Sequence, residues 1–293
     1  MYELRLGLTK GLTNAQINLY ANPAFSESQM SEIRLGLNAL PLDQVRVFAL
    51  PEYNSDQMYV IRESFERGLS VDQIHIYANP KFSANQMLQI WEGFANGLSK
   101  DQIRIYADPK FSYKQMIQIR LGFRNGLTEE QVQQYTDPKF ELGQMLQIRT
   151  GLENGLSEKK IKLYADPKFN SSQMAQIRLG FRNGLTEEQV QQYAYAHIDS
   201  SEMDSMRKYL ENGVRNIKAY NDAIARYNEL PAEQSILLAK AASNGISLAK
   251  LDVIANGHFS TEQIEFLIGN LPKLEAKASQ TKVSSKSKNN KER

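Results

Sequence analysis

Apolar residues recur along this chain in two alternating helical stripes. In Gly97–Asn125, GLSKDQIRIYADPKFSYKQMIQIRLGFRN, the residues Ile103, Tyr106 and Ala107 fall at i, i+3 and i+4. Met116, Ile119 and Phe123 then fall at i, i+3 and i+7. Both spacings mark one face of an α-helix. Ser99 and Gln102 form a capping box that opens the first helix, with Leu98 and Ile103 as a hydrophobic staple. Pro109 stops that helix, because its ring removes a donor and disfavours helical geometry at Asp108. Ser112 and Gln115 repeat the capping box for a second helix, stapled by Phe111 and Met116, and Gly126 suits the left-handed residue that closes it. The segment therefore predicts a hairpin of a first helix of about nine residues and a second of about thirteen.

That segment is one copy of a repeat. Its aromatic recurs at Tyr20, Phe48, Tyr77, Tyr106, Tyr135, Tyr164 and Tyr193, in one step of 28 and five of 29. Met30, Met58, Met87, Met116, Met145, Met174 and Met203 keep the same spacing, and Gln118–Tyr135 is identical to Gln176–Tyr193. A fixed period of this length predicts stacked repeats. Each stripe is too narrow to bury a core alone, so units must stack. Gly36, Gly93, Gly122, Gly151 and Gly180 recur inside the second helices, where glycine costs about 1 kcal/mol relative to alanine and implies close helix approach.

The pattern predicts an all-α fold, a right-handed α-solenoid of stacked two-helix repeats, elongated and curved. Residues 1–212 read as the regular array, 213–275 as divergent helical repeats, and 276–293 as a disordered basic tail without apolar periodicity. The recurring YADPKF, QM and IRxGL elements resemble those of helical-repeat arrays in uncharacterised bacterial, largely Firmicute, proteins, over about Leu4–Leu271. The resemblance implies a bacterial source and carries no activity over to particular residues.

Charge changes the picture only at one end. The chain carries +2 overall, but Lys277–Arg293 holds six basic residues and one acid, so the remainder is slightly acidic. That balance weakens a bulk electrostatic case for nucleic acid. Absence of cysteine excludes disulfides and thiolate chemistry. The start, MYELRLGLTKG, is too short and charged for a signal peptide, and no apolar run reaches membrane-spanning length. The expectation is a soluble, cytoplasmic protein.

No catalytic constellation emerges. His75, His197 and His258 lack metal-ligand spacing. Ser70, Ser99, Thr128, Ser157 and Thr186 all sit at helix caps, and Glu129–Glu130 and Glu187–Glu188 complement first-turn dipoles. No cofactor or metal is expected, and the chain reads as non-enzymatic.

Two recurring features are candidates for binding. The first is a ladder of Arg34, Arg62, Arg120, Arg149, Arg178 and Arg207 on the second helices, interrupted by Trp91. It either grips carboxylates or phosphates or pairs internally. Internal pairing is expected to use the Asp before each Pro, since the units with Asp108, Asp137 and Asp166 all carry the Arg and the Trp91 unit has Asn79. The second is a set of positions that vary over the constant frame, including Ala84, Leu88 and Glu92, then Tyr113, Ile117 and Leu121, then Leu142, Leu146 and Thr150, then Ser171, Ala175 and Leu179. These fall at i, i+4 and i+8, forming one helix face that serves either recognition or packing between repeats. The leading expectation is a scaffold for a protein or peptide partner. A nucleic-acid-binding repeat protein using the Arg ladder and tail, and a spacer array within a larger bacterial protein, are the alternatives. Oligomeric state is not legible.

Overall fold

A computed structural model describes residues 1–271, and every regular element among them is a helix. The chain opens on α1 (Tyr2–Thr9). Short and long helices then alternate: α2 (Asn14–Tyr20) and α3 (Glu27–Ala39), α4 (Leu42–Phe48) and α5 (Ser55–Glu66), α6 (Val71–Ile74) and α7 (Ala84–Ala95). The alternation continues with α8 (Lys100–Tyr106) and α9 (Tyr113–Arg124), α10 (Glu129–Gln133) and α11 (Leu142–Glu153), α12 (Glu158–Lys162) and α13 (Ser171–Arg182). Next come α14 (Glu187–Val190) and α15 (Ser200–Glu211), then the less regular α16 (Ile217–Arg226), α17 (Ala232–Ser243) and α18 (Leu248–Ala255). A further helix, α19, occupies 261–271. The expected basic tail, 276–293, lies outside the described residues. Among the described residues, no helix is long and apolar enough to cross a membrane.

Local chemistry sets these boundaries. At the start of α9 the Ser112 hydroxyl accepts the Gln115 N–H at 3.3 Å, and Gln115 Oε1 accepts the Ser112 N–H at 2.8 Å. Its end is a Schellman closure: Leu127 N–H reaches the Gly122 carbonyl and Gly126 N–H the Phe123 carbonyl, both at 3.0 Å. Gly126 makes this possible with φ of +87°. The first helices are shorter than the expected nine residues, down to four or five in α6, α10 and α12. There the last turn tightens to i→i+3 bonds, as in Tyr135 N–H to Val132 O at 3.1 Å, ahead of a proline that cannot extend the helix.

The chain divides into two compact units, residues 1–174 and residues 175 onward. In the first, the long helices α3, α5, α7, α9 and α11 pack neighbour on neighbour, and each also contacts short helices beside it. The core between them is Met58, Met87, Met116 and Met145 with Ile61, Ile90, Ile119 and Ile148, all fully buried. Burying side chains of this size contributes about 1.5–3 kcal/mol each.

One glutamine per repeat links neighbours. Gln86 closes its own capping box through Oε1, accepting Ser83 N–H at 2.7 Å. Its Nε2 donates forward to the Pro109 and Phe111 carbonyls, at 3.0 and 2.6 Å. Gln29, Gln57, Gln115 and Gln144 make the same pair of forward bonds to the next corner. Each YADPKF corner in this stretch is thus fixed by the repeat before it.

In the second unit α16 and α17 form a hairpin, and α18 packs on α17. Arg226 grips Asp252 with two bonds of 2.7 Å, and the Tyr227 hydroxyl donates to the same carboxylate at 3.0 Å. These contacts tie the end of α16 to α18.

Candidate functional site

In α7, α9, α11 and α13 the central glycine receives the tyrosine at the end of the following short helix. A Cβ on Gly93, Gly122, Gly151 or Gly180 would overlap the hydroxyl oxygen of Tyr106, Tyr135, Tyr164 or Tyr193 respectively. The hydroxyl passes over the glycine to a main-chain carbonyl one turn earlier. Tyr106 donates to Gln89 O and Tyr135 to Gln118 O, each at 3.4 Å, and Tyr193 to Gln176 O at 3.3 Å. Burial pushes the Tyr106, Tyr135 and Tyr193 hydroxyls well above the ordinary tyrosine range.

The residue that supplies this carbonyl also holds the arginine of the next repeat. Gln89 Oε1 accepts Arg120 Nη2 at 3.0 Å, Gln118 Oε1 accepts Arg149 Nε at 3.2 Å, and Gln176 Oε1 accepts Arg207 Nε at 3.1 Å. Glutamates do the same earlier in the chain: Glu3 takes Arg34 Nε at 2.6 Å and Glu32 takes Arg62 Nε at 2.9 Å. At Glu3, Gln89, Gln118 and Gln176 one residue therefore serves two directions, with its main-chain carbonyl closing its own hairpin and its side chain locking the neighbour.

The guanidinium groups also meet carboxylates, although Arg120 does so through the same Nη2 and its Nε is buried without a hydrogen-bond partner among the described residues. Arg62 reaches Glu66 at 2.6 Å, Arg120 reaches Glu92 at 2.6 Å, and Arg149 reaches Glu153 at 2.5 Å. Arg207 binds Glu211 at 2.6 Å and also Asp204. Arg178 is partly buried and engaged as well. Burial pulls the Arg62 guanidinium down, but its bonds to Glu32 and Glu66 more than offset this and leave it raised. Arg62, Arg120, Arg149 and Arg207 are buried. The ladder is an internal lock.

The aspartate before each proline, expected as the partner, does not take part in that lock. Asp108, Asp137 and Asp166 turn their carboxylates onto the N–H of Lys110, Lys139 and Lys168, at 2.9, 2.9 and 3.0 Å. They brace the corner in Asx turns. The lock partner sits instead two residues before each arginine's own repeat position, one unit back.

The break in the ladder follows the same rule. Val60 occupies the acceptor position and cannot accept an arginine, and Trp91 stands where that arginine would be. Ser64 replaces the central glycine, and its hydroxyl donates to Val60 O at 2.6 Å. Arg67 lays its guanidinium over the Trp91 ring, 4.9 Å from the centroid, and Arg62 lies 5.4 Å from the Tyr59 centroid. The Trp91 Nε1 atom is buried without a hydrogen-bond partner among the described residues.

The variable positions stay outside the core. Leu88 and Ile117 are half-buried, as are Ala84, Glu92, Leu121, Thr150, Ser171, Ala175 and Leu179. Tyr113, Leu142 and Leu146 are exposed, by 38%, 40% and 39%, and Tyr59 and Leu35 join them at 48% and 38%. Within residues 1–174 the long helices thus carry large, partly exposed apolar side chains on one face. No known protein family, curated protein or solved structure matches this chain.

Proposed function

We propose that this chain is a non-enzymatic scaffold that binds a protein or peptide along the variable face of its long helices. One observation carries the reading. Leu35, Tyr59, Tyr113, Leu142 and Leu146 remain exposed at repeat-related positions, whereas the buried arginines of the same helices are held by neighbouring residues. Interfaces favour aromatic and apolar side chains at their centres and disfavour scattered charge. A nucleic-acid partner would want the opposite disposition, with free guanidinium groups facing phosphates.

The test compares affinity capture from extract of the source cell by the natural protein and by a variant carrying L35K, Y113K and L146K. A partner recovered by the first and lost from the second, with helical content unchanged, supports the scaffold. Equal recovery by both moves binding off this face. Recovery of nucleic acid instead, with affinity falling steeply as salt rises, overturns the reading.

A further inference from the structure

Free charge on the outward face of α7, α9 and α11 has one sign. On α9, Tyr113, Lys114, Ile117, Leu121 and Arg124 fall within about 100° of arc at 3.6 residues per turn. Gly122, which receives Tyr135, lies on the far side of that wheel. The equivalent positions of α7 and α11 hold two charges, Glu92 and Glu153. Both are already taken: Glu92 pairs with Arg120 at 2.6 Å, and Glu153 pairs with Arg149 at 2.5 Å and accepts Asn125 Nδ2 at 2.8 Å. Lys114 and Arg124 are exposed and have no ion-pair partner among the described residues. The Lys114 ammonium stays 6.0 Å from the Tyr113 ring centroid.

Large apolar side chains lie between and beside these two cations. Tyr113, Leu142 and Leu146 are exposed, and Ile117 and Leu121 are half-buried. The acids nearest in sequence belong to other features: Glu129 and Glu130 form the first turn of the short helix α10, and Asp108 and Asp137 brace corners. Glu141 stands at the N-cap of α11, two residues after Lys139. On the same face of α3 and α5 the sign reverses, since Glu27 and Asp56 are exposed there without an ion pair among the described residues. The unpaired positive charge is thus local to α9, where the apolar rows are also fullest.

Resting on the scaffold reading above, we infer that the α9–α11 face binds an acidic, apolar peptide segment of another protein. Its aliphatic or aromatic side chains settle on Tyr113, Leu142 and Leu146, and its carboxylates meet Lys114 and Arg124. Arginine suits a carboxylate through two parallel N–H bonds. The two cations stand ten residues apart on α9, about 15 Å along its axis, so the acidic groups of the segment flank an apolar centre. The apolar contact gives affinity, and the cations set the choice of sequence. The chain's own segment 276–293 is basic and has the wrong sign for this face.

The experiment selects a phage-displayed random peptide library on the natural protein and measures the selected peptides by calorimetry. K114Q/R124Q removes the cations, K114E/R124E reverses them, and E27K/D56K changes the acidic stretch of the same face; helical content is checked for each. The expected consensus places Asp or Glu on both sides of an aliphatic or aromatic core. Such peptides should bind K114Q/R124Q about tenfold more weakly, bind K114E/R124E more weakly still, and keep their affinity for E27K/D56K. A basic or uncharged consensus overturns the acidic assignment. Peptides that bind every charge variant equally but lose the variant carrying L35K, Y113K and L146K also overturn it, and leave the scaffold standing. Peptides that bind all these variants equally, or failure to select any peptide, count against both readings. A single-stranded oligonucleotide is titrated alongside; if it binds as tightly as the peptides and is indifferent to L142A/L146A, the cations serve phosphate and the peptide assignment fails. If the natural protein self-associates in sedimentation, and K114E/R124E and E27K/D56K each abolish this, the occupant is a second copy and the separate-partner assignment fails.

Discussion

Gln118 accepts the guanidinium of Arg149 through its side chain at 3.2 Å, from an arginine 31 residues further on. Its carbonyl simultaneously takes the Tyr135 hydroxyl at 3.4 Å. One residue therefore couples the fold within a repeat to the fold between repeats. Replacing Gln118 with leucine keeps the tyrosine bond and removes only the lock. The expected loss is about 1–3 kcal/mol, the cost of leaving a buried donor unmet, read as a lower urea midpoint at an unchanged m-value.

Gly122 is predicted to resist even a single added methyl. Alanine normally stabilises a helix interior by about 1 kcal/mol over glycine. At this position the new Cβ would strike the Tyr135 hydroxyl, so overpacking of about 1–3 kcal/mol should win. Thermal unfolding of G122A should therefore begin at lower temperature than for the natural protein. The control is Gly11, with φ of +82° and no neighbour near its missing Cβ. A change there is strained by backbone conformation and not by collision, so removing only the Tyr135 hydroxyl with Y135F should narrow the loss in G122A and leave that in G11A unchanged.

Alkaline pH should unfold the protein through its tyrosines. Burial raises the hydroxyls of Tyr77, Tyr106, Tyr135 and Tyr193 above their ordinary value. The unfolded chain then loses these protons first, near pH 10. Stability is full below that pH and declines as pH rises above it toward the native-state values. Tyrosinate absorbance should show exposed tyrosines titrating normally and the buried ones ionising together with loss of helical signal. Smooth titration of every tyrosine near pH 10 in a folded protein would contradict the packing described.

Acid should loosen the α16–α18 link. The bond from Arg226, set against a smaller desolvation effect, holds the Asp252 carboxyl below its usual range. Its contribution is present above the ordinary aspartate value and is lost as pH falls through the depressed one. Amide exchange in α18 should accelerate at low pH in the natural protein. In D252N it should already be fast at neutral pH.

Much of this architecture is legible in the sequence because its signals are local. Ser112 and Gln115, Pro109 and Gly126 each act within a few residues, and the helices start and stop close to where these residues direct. The glycine at 122 is also readable as a close approach, although the tyrosine that approaches it lies 13 residues away. Contacts between repeats carry no such local signal. Gln86 is fully accounted for by its capping box, so nothing local announces its forward bonds to Pro109 and Phe111. The arginine partners expected at Asp108, Asp137 and Asp166 lie instead one unit back and, for Arg62, Arg149 and Arg207, also one turn further along the same helix. The joint replacement at Val60 and Trp91 was the available clue. It becomes readable only once a second helix is known to stack directly on the next.

The most direct test of this account is a double-mutant cycle at positions 60 and 91, measured by urea unfolding. If the acceptor and the arginine form one lock, V60Q alone and W91R alone should each destabilise the protein, burying a polar group without its partner. Together they should recreate the Gln89–Arg120 arrangement and recover stability, with a favourable coupling of about 1–3 kcal/mol. Strictly additive losses would mean that the two positions do not act on each other, and the lock would not be what joins these repeats.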